Sequence, residues 1–144
     1  MTLPHEHESL ADQYLATILR VEVDGAWVNA NSAALALGPF HVITAWNPGT
    51  ARPSETDNRA ANQLLHDQLV ALDCKLLAAI GSVPCSSHFE ESWCVTGLTD
   101  TQARVIGADF GQWAVFRISV DEQAVLGCFG DWVRGSATPR NGLS

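Results

Sequence analysis

Positive charge is scarce in this chain. It holds a single lysine, Lys75, and seven scattered arginines against 16 Asp and Glu, for a net charge of −8. Binding a nucleic-acid backbone needs a clustered basic footprint, so nucleic acid is excluded as the main partner. Long apolar runs are also missing. No stretch approaches the ~20 residues that a membrane-spanning helix needs, so no membrane role is expected. Cysteine is sparse and unpatterned: Cys74, Cys85, Cys94 and Cys128 make no C-x-x-C pair and have no histidine at zinc-ligand intervals. The first residues lack the apolar core of a signal peptide. A cytoplasmic protein with reduced thiols is therefore expected, two disulfides in a secreted protein being the competing reading. There is no G-K-[ST] phosphate loop, the loop over Asn47–Pro53 holds too little glycine to build one, and no cofactor is expected. His5 and His7 form a short H-E-H that reads as solvated tail rather than a metal site.

What the chain does have is apolar weight. Hydrophobic residues make up 47% of it and five are tryptophan, which rules out a disordered chain. At 144 residues it is expected to form one domain. The boundaries predicted are a flexible start over 1–8, a globular domain over 9–133 and a flexible tail over 134–144.

A helix is predicted from Ser9 to about Leu19, followed by a half-buried strand over Leu19–Val23. Asp24-Gly25 marks a hairpin turn into Trp27 and Val28. Asn29–Gly38 is rich in small residues and carries no clear pattern. Phe40–Trp46, FHVITAW, is the clearest strand, continuous enough for a central position covered on both faces. A loop over Asn47–Pro53 leads to a helix opened by Ser54, with Leu64, Leu65, Leu69 and Leu72 as its expected buried face. Leu76–Ile80 reads as a further strand or as the tail of that helix, and strands are expected at Ser92–Val95, Gln112–Val120 and Gln123–Gly127. A short helix, Thr101–Ala108, is capped by Thr99-Asp100. Two connections are too short for crossovers. The predicted fold class is thus α/β of the α+β kind: a mixed, mostly antiparallel sheet flanked by about three helices.

Three constellations could carry chemistry. The first is Asn47, Thr50, Arg52, Ser54, Asn58, Arg59 and Asn62, where a strand delivers polar residues to the mouth of a helix. Ser54, Asn58 and Asn62 recur every four residues and share one face. Asparagine is a poor helix former, so two of them one turn apart need an explanation. Arg59 lies where the helix dipole disfavours a cation by about 0.3–1 kcal/mol, and a bound anion would reverse that. The competing account is that Glu55 and Asp57 neutralise Arg59 while Asn58 supports the cap. The second constellation is His88, Glu90, Glu91, Ser92 and Trp93. Strand alternation puts Glu90 and Ser92 on one face and Glu91 and Trp93 on the other. Glu91 is the candidate general base, with a structural Arg59–Glu91 pair as the alternative. The third is Gln112, which opens an apolar strand and could read a ligand edge or satisfy a loop carbonyl. Cys94, between Trp93 and Val95, reads as a small core residue.

The string FHVITAWNPGT, the following S-x-x-x-N-R-x-x-N helix start, E-S-W and F-G-Q-W-A-V-F together resemble a bacterial family known only as a domain of unknown function, DUF3293. The resemblance extends from about Tyr14 to Leu126. It implies a small, single-domain cytoplasmic protein with no assigned activity. The positions matched to the family's motifs are Trp46, Asn47, Pro48, Ser54, Asn58, Arg59, Glu91, Ser92 and Gln112. Thr50 departs from the serine common there but keeps the hydroxyl.

Two functional expectations follow. One is binding, or hydrolysis, of a small anionic, nucleotide-like or phosphorylated metabolite in a pocket at the helix start. The other is a non-enzymatic module whose acidic surface docks a basic protein partner.

Overall fold

The structure is a computed structural model, and it describes residues 14–48, 52–83 and 89–137. Within it, eight strands form one sheet: β1 (Ile18–Val23), β2 (Ala26–Asn29), β3 (Phe40–Ile43), β4 (Lys75–Ser82), β5 (Phe89–Thr96), β6 (Ala114–Ile118), β7 (Glu122–Gly127) and β8 (Val133–Ala137). Three helices accompany them: α1 (Ala30–Leu37), α2 (Glu55–Ala71) and α3 (Asp100–Asp109). The sheet order is β2-β1-β4-β5-β3-β6-β7-β8, and every neighbouring pair is antiparallel. The expected α/β domain with a mostly antiparallel sheet and three helices is what forms.

Several local signals act as expected. Asp24 and Gly25 both take positive φ (51° and 83°), the geometry of a two-residue type I′ turn, and β1 and β2 pair across it. Phe40–Ile43 is central in the sheet and fully buried, as a continuous apolar run requires. Thr99 caps α3 with a complete capping box, its hydroxyl receiving the Gln102 N–H while the Gln102 side chain receives the Thr99 N–H.

Other expectations are corrected. The chain is helical at Tyr14–Leu15 and already extended by Ile18, so that helix stops short of Leu19; its first half lies outside the described residues. The unpatterned Asn29–Gly38 stretch is a helix. Asn29 caps it by accepting the Asn31 N–H, and its alanines Ala30, Ala33 and Ala34 pack onto the sheet. The β3 strand ends at Ile43, three residues early, because the Thr44 hydroxyl accepts the Trp46 N–H and turns the chain. On α2 the buried stripe is Asn58, Asn62, Leu65 and Leu69, while Leu64 and Leu72 are 63% and 50% exposed. β8 runs to Ala137, beyond the domain boundary expected at residue 133, and pairs with β7.

The sheet divides the core in two. On one face Leu19, Val21, Phe40, Val42, Phe116 and Val125 pack with α1, Tyr14 and Trp113. On the other, Ile43, Val95, Val115 and Leu126 pack against Leu65 and Leu69 of α2 and Ala103 and Ile106 of α3. Gly107 permits that closeness: a Cβ there would lie 2.6 Å from both Val115 Cγ1 and Cys128 Sγ. Among the described residues, no helix is long and apolar enough to cross a membrane.

Candidate functional site

The segment after β3 is held from below by the helix that follows it. Asn58 Oδ1 accepts the Asn47 N–H at 2.9 Å, and Asn58 Nδ2 donates to Asn47 Oδ1 at 2.9 Å. One turn on, Asn62 Oδ1 accepts the Ala45 N–H at 3.3 Å, and its main-chain carbonyl accepts the Trp93 indole N–H at 3.0 Å. Thr44 Oγ1 donates to the Glu91 carbonyl at 2.7 Å, tying the turn to β5. From above, Gln112 Nε2 donates to the Trp46 carbonyl at 3.2 Å. Gly111, at φ 73°, leaves room for Pro48, whose Cβ would stand 2.8 Å from a Cβ at that position. Asn47 itself sits at φ 48°, a left-handed conformation that asparagine tolerates better than most residues. Poor helix formers occupy α2 because their amides supply the turn with backbone partners it would otherwise lack.

That latch lies on the α2 face of the sheet. A cavity of about 390 Å³ opens on the other face. Its aromatic walls include Tyr14, Trp46, Trp113 and Phe116. Tyr14 packs against Trp113 and Phe116 with ring centroids 5.4 and 5.6 Å away. The polar lining includes Asn47, Arg52, Glu90, Ser92 and Gln112. Asn47 Nδ2 donates to Glu90 Oε2 at 3.5 Å, and Ser92 Oγ donates to the Glu90 carbonyl at 3.3 Å. Burial pushes the Tyr14 hydroxyl up to about 12, Glu90 and Cys128 adding to the shift against a hydrogen bond with the Ala114 backbone. Tyr14 is therefore a protonated phenol at neutral pH.

The residues singled out from sequence thus separate. Trp46, Asn47, Arg52, Ser92 and Gln112 meet at the cavity, arriving from three distant stretches of chain. Ser54, Asn58, Arg59 and Asn62 do not line it. Ser54 is spent as the cap of α2, accepting the Asp57 N–H at 3.1 Å. Asn58 and Asn62 are the latch. Glu91, the candidate base, projects to the α2 face, where Arg59 Nε donates to its Oε2 at 3.4 Å; Arg59 also meets Glu55 at 3.2 Å. Its neighbour Glu90 is the carboxylate at the cavity. Thr50 and His88, with His5, His7 and Cys85, lie outside the described residues. Cys94 is 1% exposed, and burial pushes its thiol up to about 12, the state of an unreactive core cysteine.

A second polar cluster had not been picked out. His41 on β3 is 6% exposed; its Nε2–H donates to Asp100 Oδ1 at 2.8 Å, while Arg117 donates to Asp100 Oδ2 at 2.7 Å and to Glu122 Oε1 at 3.4 Å. His41 Nδ1 is buried without a partner among the described residues. Burial holds the His41 pKa below its ordinary 6.5 despite Asp100. Asp100 also loses solvent, but the hydrogen bonds from His41 and Arg117 outweigh this and hold its carboxyl below the ordinary value. Alternation gave no signal for it: His41 shares its face of β3 with the buried Ile43, and its register pairing with Arg117 follows from strand order.

An antiparallel sheet with helices on both faces, and an aromatic, polar-tipped cavity on one of them, defines a small α/β domain. A family model described as "Protein of unknown function (DUF3293)" matches residues 43–115, just over half the chain, and the protein belongs to that family. The match begins at the end of β3 and runs through the latch, Glu90–Ser92 and Gln112, a narrower span than the resemblance extending to Leu126. No curated protein and no solved structure matches the chain.

Proposed function

We propose that this protein binds a small, nucleotide-like or phosphorylated metabolite in the cavity between Tyr14, the turn after β3, β5 and Gln112. The observation carrying this reading is convergence: Trp46, Asn47, Arg52, Ser92 and Gln112, far apart in sequence, line one cavity of about 390 Å³. That volume lies within the ~300–1,000 Å³ of small-molecule sites, and a mostly apolar wall with a few placed polar groups is their usual composition. Arg52 supplies positive charge for an anionic group, a role the sequence suggests for Arg59 with Arg52 beside it. Should a reaction accompany binding, Glu90 is the carboxylate placed to act as base.

The test is a thermal-shift screen against nucleotides, sugar phosphates and small carboxylates. A ligand at a hundred times its dissociation constant adds about 2.7 kcal/mol of stability. Arg52→Ala should weaken an anionic hit, and binding should change the emission of Trp46 and Trp113. A hit that leaves emission untouched and survives both Arg52→Ala and Ser92→Val lies elsewhere, and the proposal then fails.

A further inference from the structure

We infer that the group this cavity holds is an uncharged, flat heterocycle with hydrogen-bonding edges, of the nucleobase class, and that any phosphate on it stays at the mouth beside Arg52. This rests on the cavity being a binding site, as proposed above.

Three features point to a ring rather than to a phosphate. The first is charge. Of the charged side chains lining the cavity, Arg52 is exposed and Glu90 is its only other charged companion among the described residues. A bare phosphate placed inside would face a carboxylate with one rim cation, whereas phosphate sites gather several donors and positive charges. An uncharged ring meets no such conflict.

The second is the wall. Tyr14 packs against both Trp113 and Phe116, and Trp113 is backed in turn by Trp132 at 4.5 Å. Trp46 completes the aromatic lining. Rigid aromatic faces accept a flat π-system at little conformational cost.

The third is hydrogen-bonding capacity left over in nearly buried groups. Gln112 is 4% exposed, and its Nε2 is directed at the Trp46 and Phe110 carbonyls. Its Oε1 receives no donor among the described residues. Ser92 is 6% exposed; its hydroxyl donates to the Glu90 carbonyl and keeps its acceptor side. The Trp46 indole N–H likewise has no acceptor among the described residues, although Trp46 is almost fully buried. Fixed acceptors and a fixed donor around an aromatic slot are what the amide and amine edges of a base would satisfy. Thr44, by contrast, uses its hydroxyl as both donor and acceptor within the fold and has nothing to offer a ligand.

The experiment titrates the purified full chain with adenosine, guanosine, cytidine and uridine, and in parallel with ribose 5-phosphate and inorganic phosphate. Tryptophan emission and melting temperature are both read. The expected result is that at least one nucleoside quenches emission and raises the melting temperature while the two phosphates do neither. Ser92→Ala and Gln112→Met should each weaken that nucleoside by about tenfold, the worth of one hydrogen bond. Arg52→Ala should weaken the matching nucleotide and spare the nucleoside. Far-ultraviolet circular dichroism checks the fold of each variant, and Ser92→Ala carries the test alone if Gln112→Met does not fold. Binding of ribose 5-phosphate or phosphate without any nucleoside overturns the inference while leaving the cavity reading in place. Nucleoside binding unaffected by Ser92→Ala or by a folded Gln112→Met also overturns it. If no compound in either set binds, the inference and the cavity reading fall together.

Discussion

On the α2 side of the central strands, Asn58 and Asn62 commit their amides to the turn after β3; on the cavity side, Gln112 and Ser92 keep part of theirs unused. All four residues are buried to a similar degree, between 3% and 6% exposed. Burial alone therefore does not separate a structural polar group from a recognition group. What separates them is whether each donor and acceptor is already matched within the fold. The same strand–turn–helix segment feeds both sides, with Asn47 bonded to Asn58 below and to Glu90 above.

The sharpest break of this contrast is Asn58→Ala. It leaves the Asn47 N–H and Oδ1 without their partner in a tightly held turn, and should lower unfolding free energy by about 3 kcal/mol in urea titrations. Ser92→Ala, on the other face, removes only a 3.3 Å bond and should cost less than about 1 kcal/mol. Equal losses in the two variants would show that the cavity face is as structural as the latch.

Asn62→Ala tests the latch one turn further on. Only the Ala45 N–H loses its partner, since Trp93 bonds the Asn62 main chain, and about 2 kcal/mol is expected. A loss near zero would mean that water replaces the amide and that the stripe on α2 is less tightly sealed than its burial implies.

How much of this could be read from the residues alone depended on how local each cause was. The Asp24-Gly25 turn, the buried β3 run and the Thr99 capping box are decided within a few neighbours, and each formed where its signal stood. The helix α1 also has local signals, an Asn29 cap, a run of alanines and Gly38 just past its end, but at eight residues it shows little apolar periodicity. For β8, Arg134 and Gly135 sit in a strand only because β7 offers an open edge. Strand alternation correctly parted Glu90 and Ser92 from Glu91 and Trp93. It could not say which face would hold the cavity, because that depends on β3 lying between β5 and β6, strands that come some 50 and 70 residues later. The asparagines were rightly marked as needing an explanation. Their partners came from a chain reversal at Thr44 that the continuous FHVITAW pattern conceals.

His41 is an exception on the helix side, a buried group with Nδ1 unmatched among the described residues, and its effect is one of pH. Its folded pKa lies below the ordinary 6.5, so the unfolded chain binds the proton more readily. Stability should be complete above about pH 6.5 and decline as pH falls below it, through the folded pKa. Asp100 is shifted in the direction usual for a paired carboxylate, and its contribution is lost only lower, below about 3.8. Urea midpoints should slope below about pH 6.5 for the native protein and flatten there in His41→Leu, which keeps the Asp100–Arg117 pair. An unchanged slope in that variant would assign the effect to other groups.

The smallest effect is expected at Arg59, early in α2. Its guanidinium contacts Glu91 at 3.4 Å and Glu55 at 3.2 Å, but it is 57% exposed and Glu91 36%. A pair that open to water gains little from proximity and gives up side-chain freedom to form. Removing the arginine leaves Glu91 able to hydrate, so no buried charge is stranded. Arg59→Ala should therefore change stability by at most about 0.5 kcal/mol and leave ligand binding at the cavity untouched. A loss of nucleotide affinity in this variant would return the anion to the start of α2 and away from Arg52. The contrast between the two faces of the sheet would then be drawn in the wrong place.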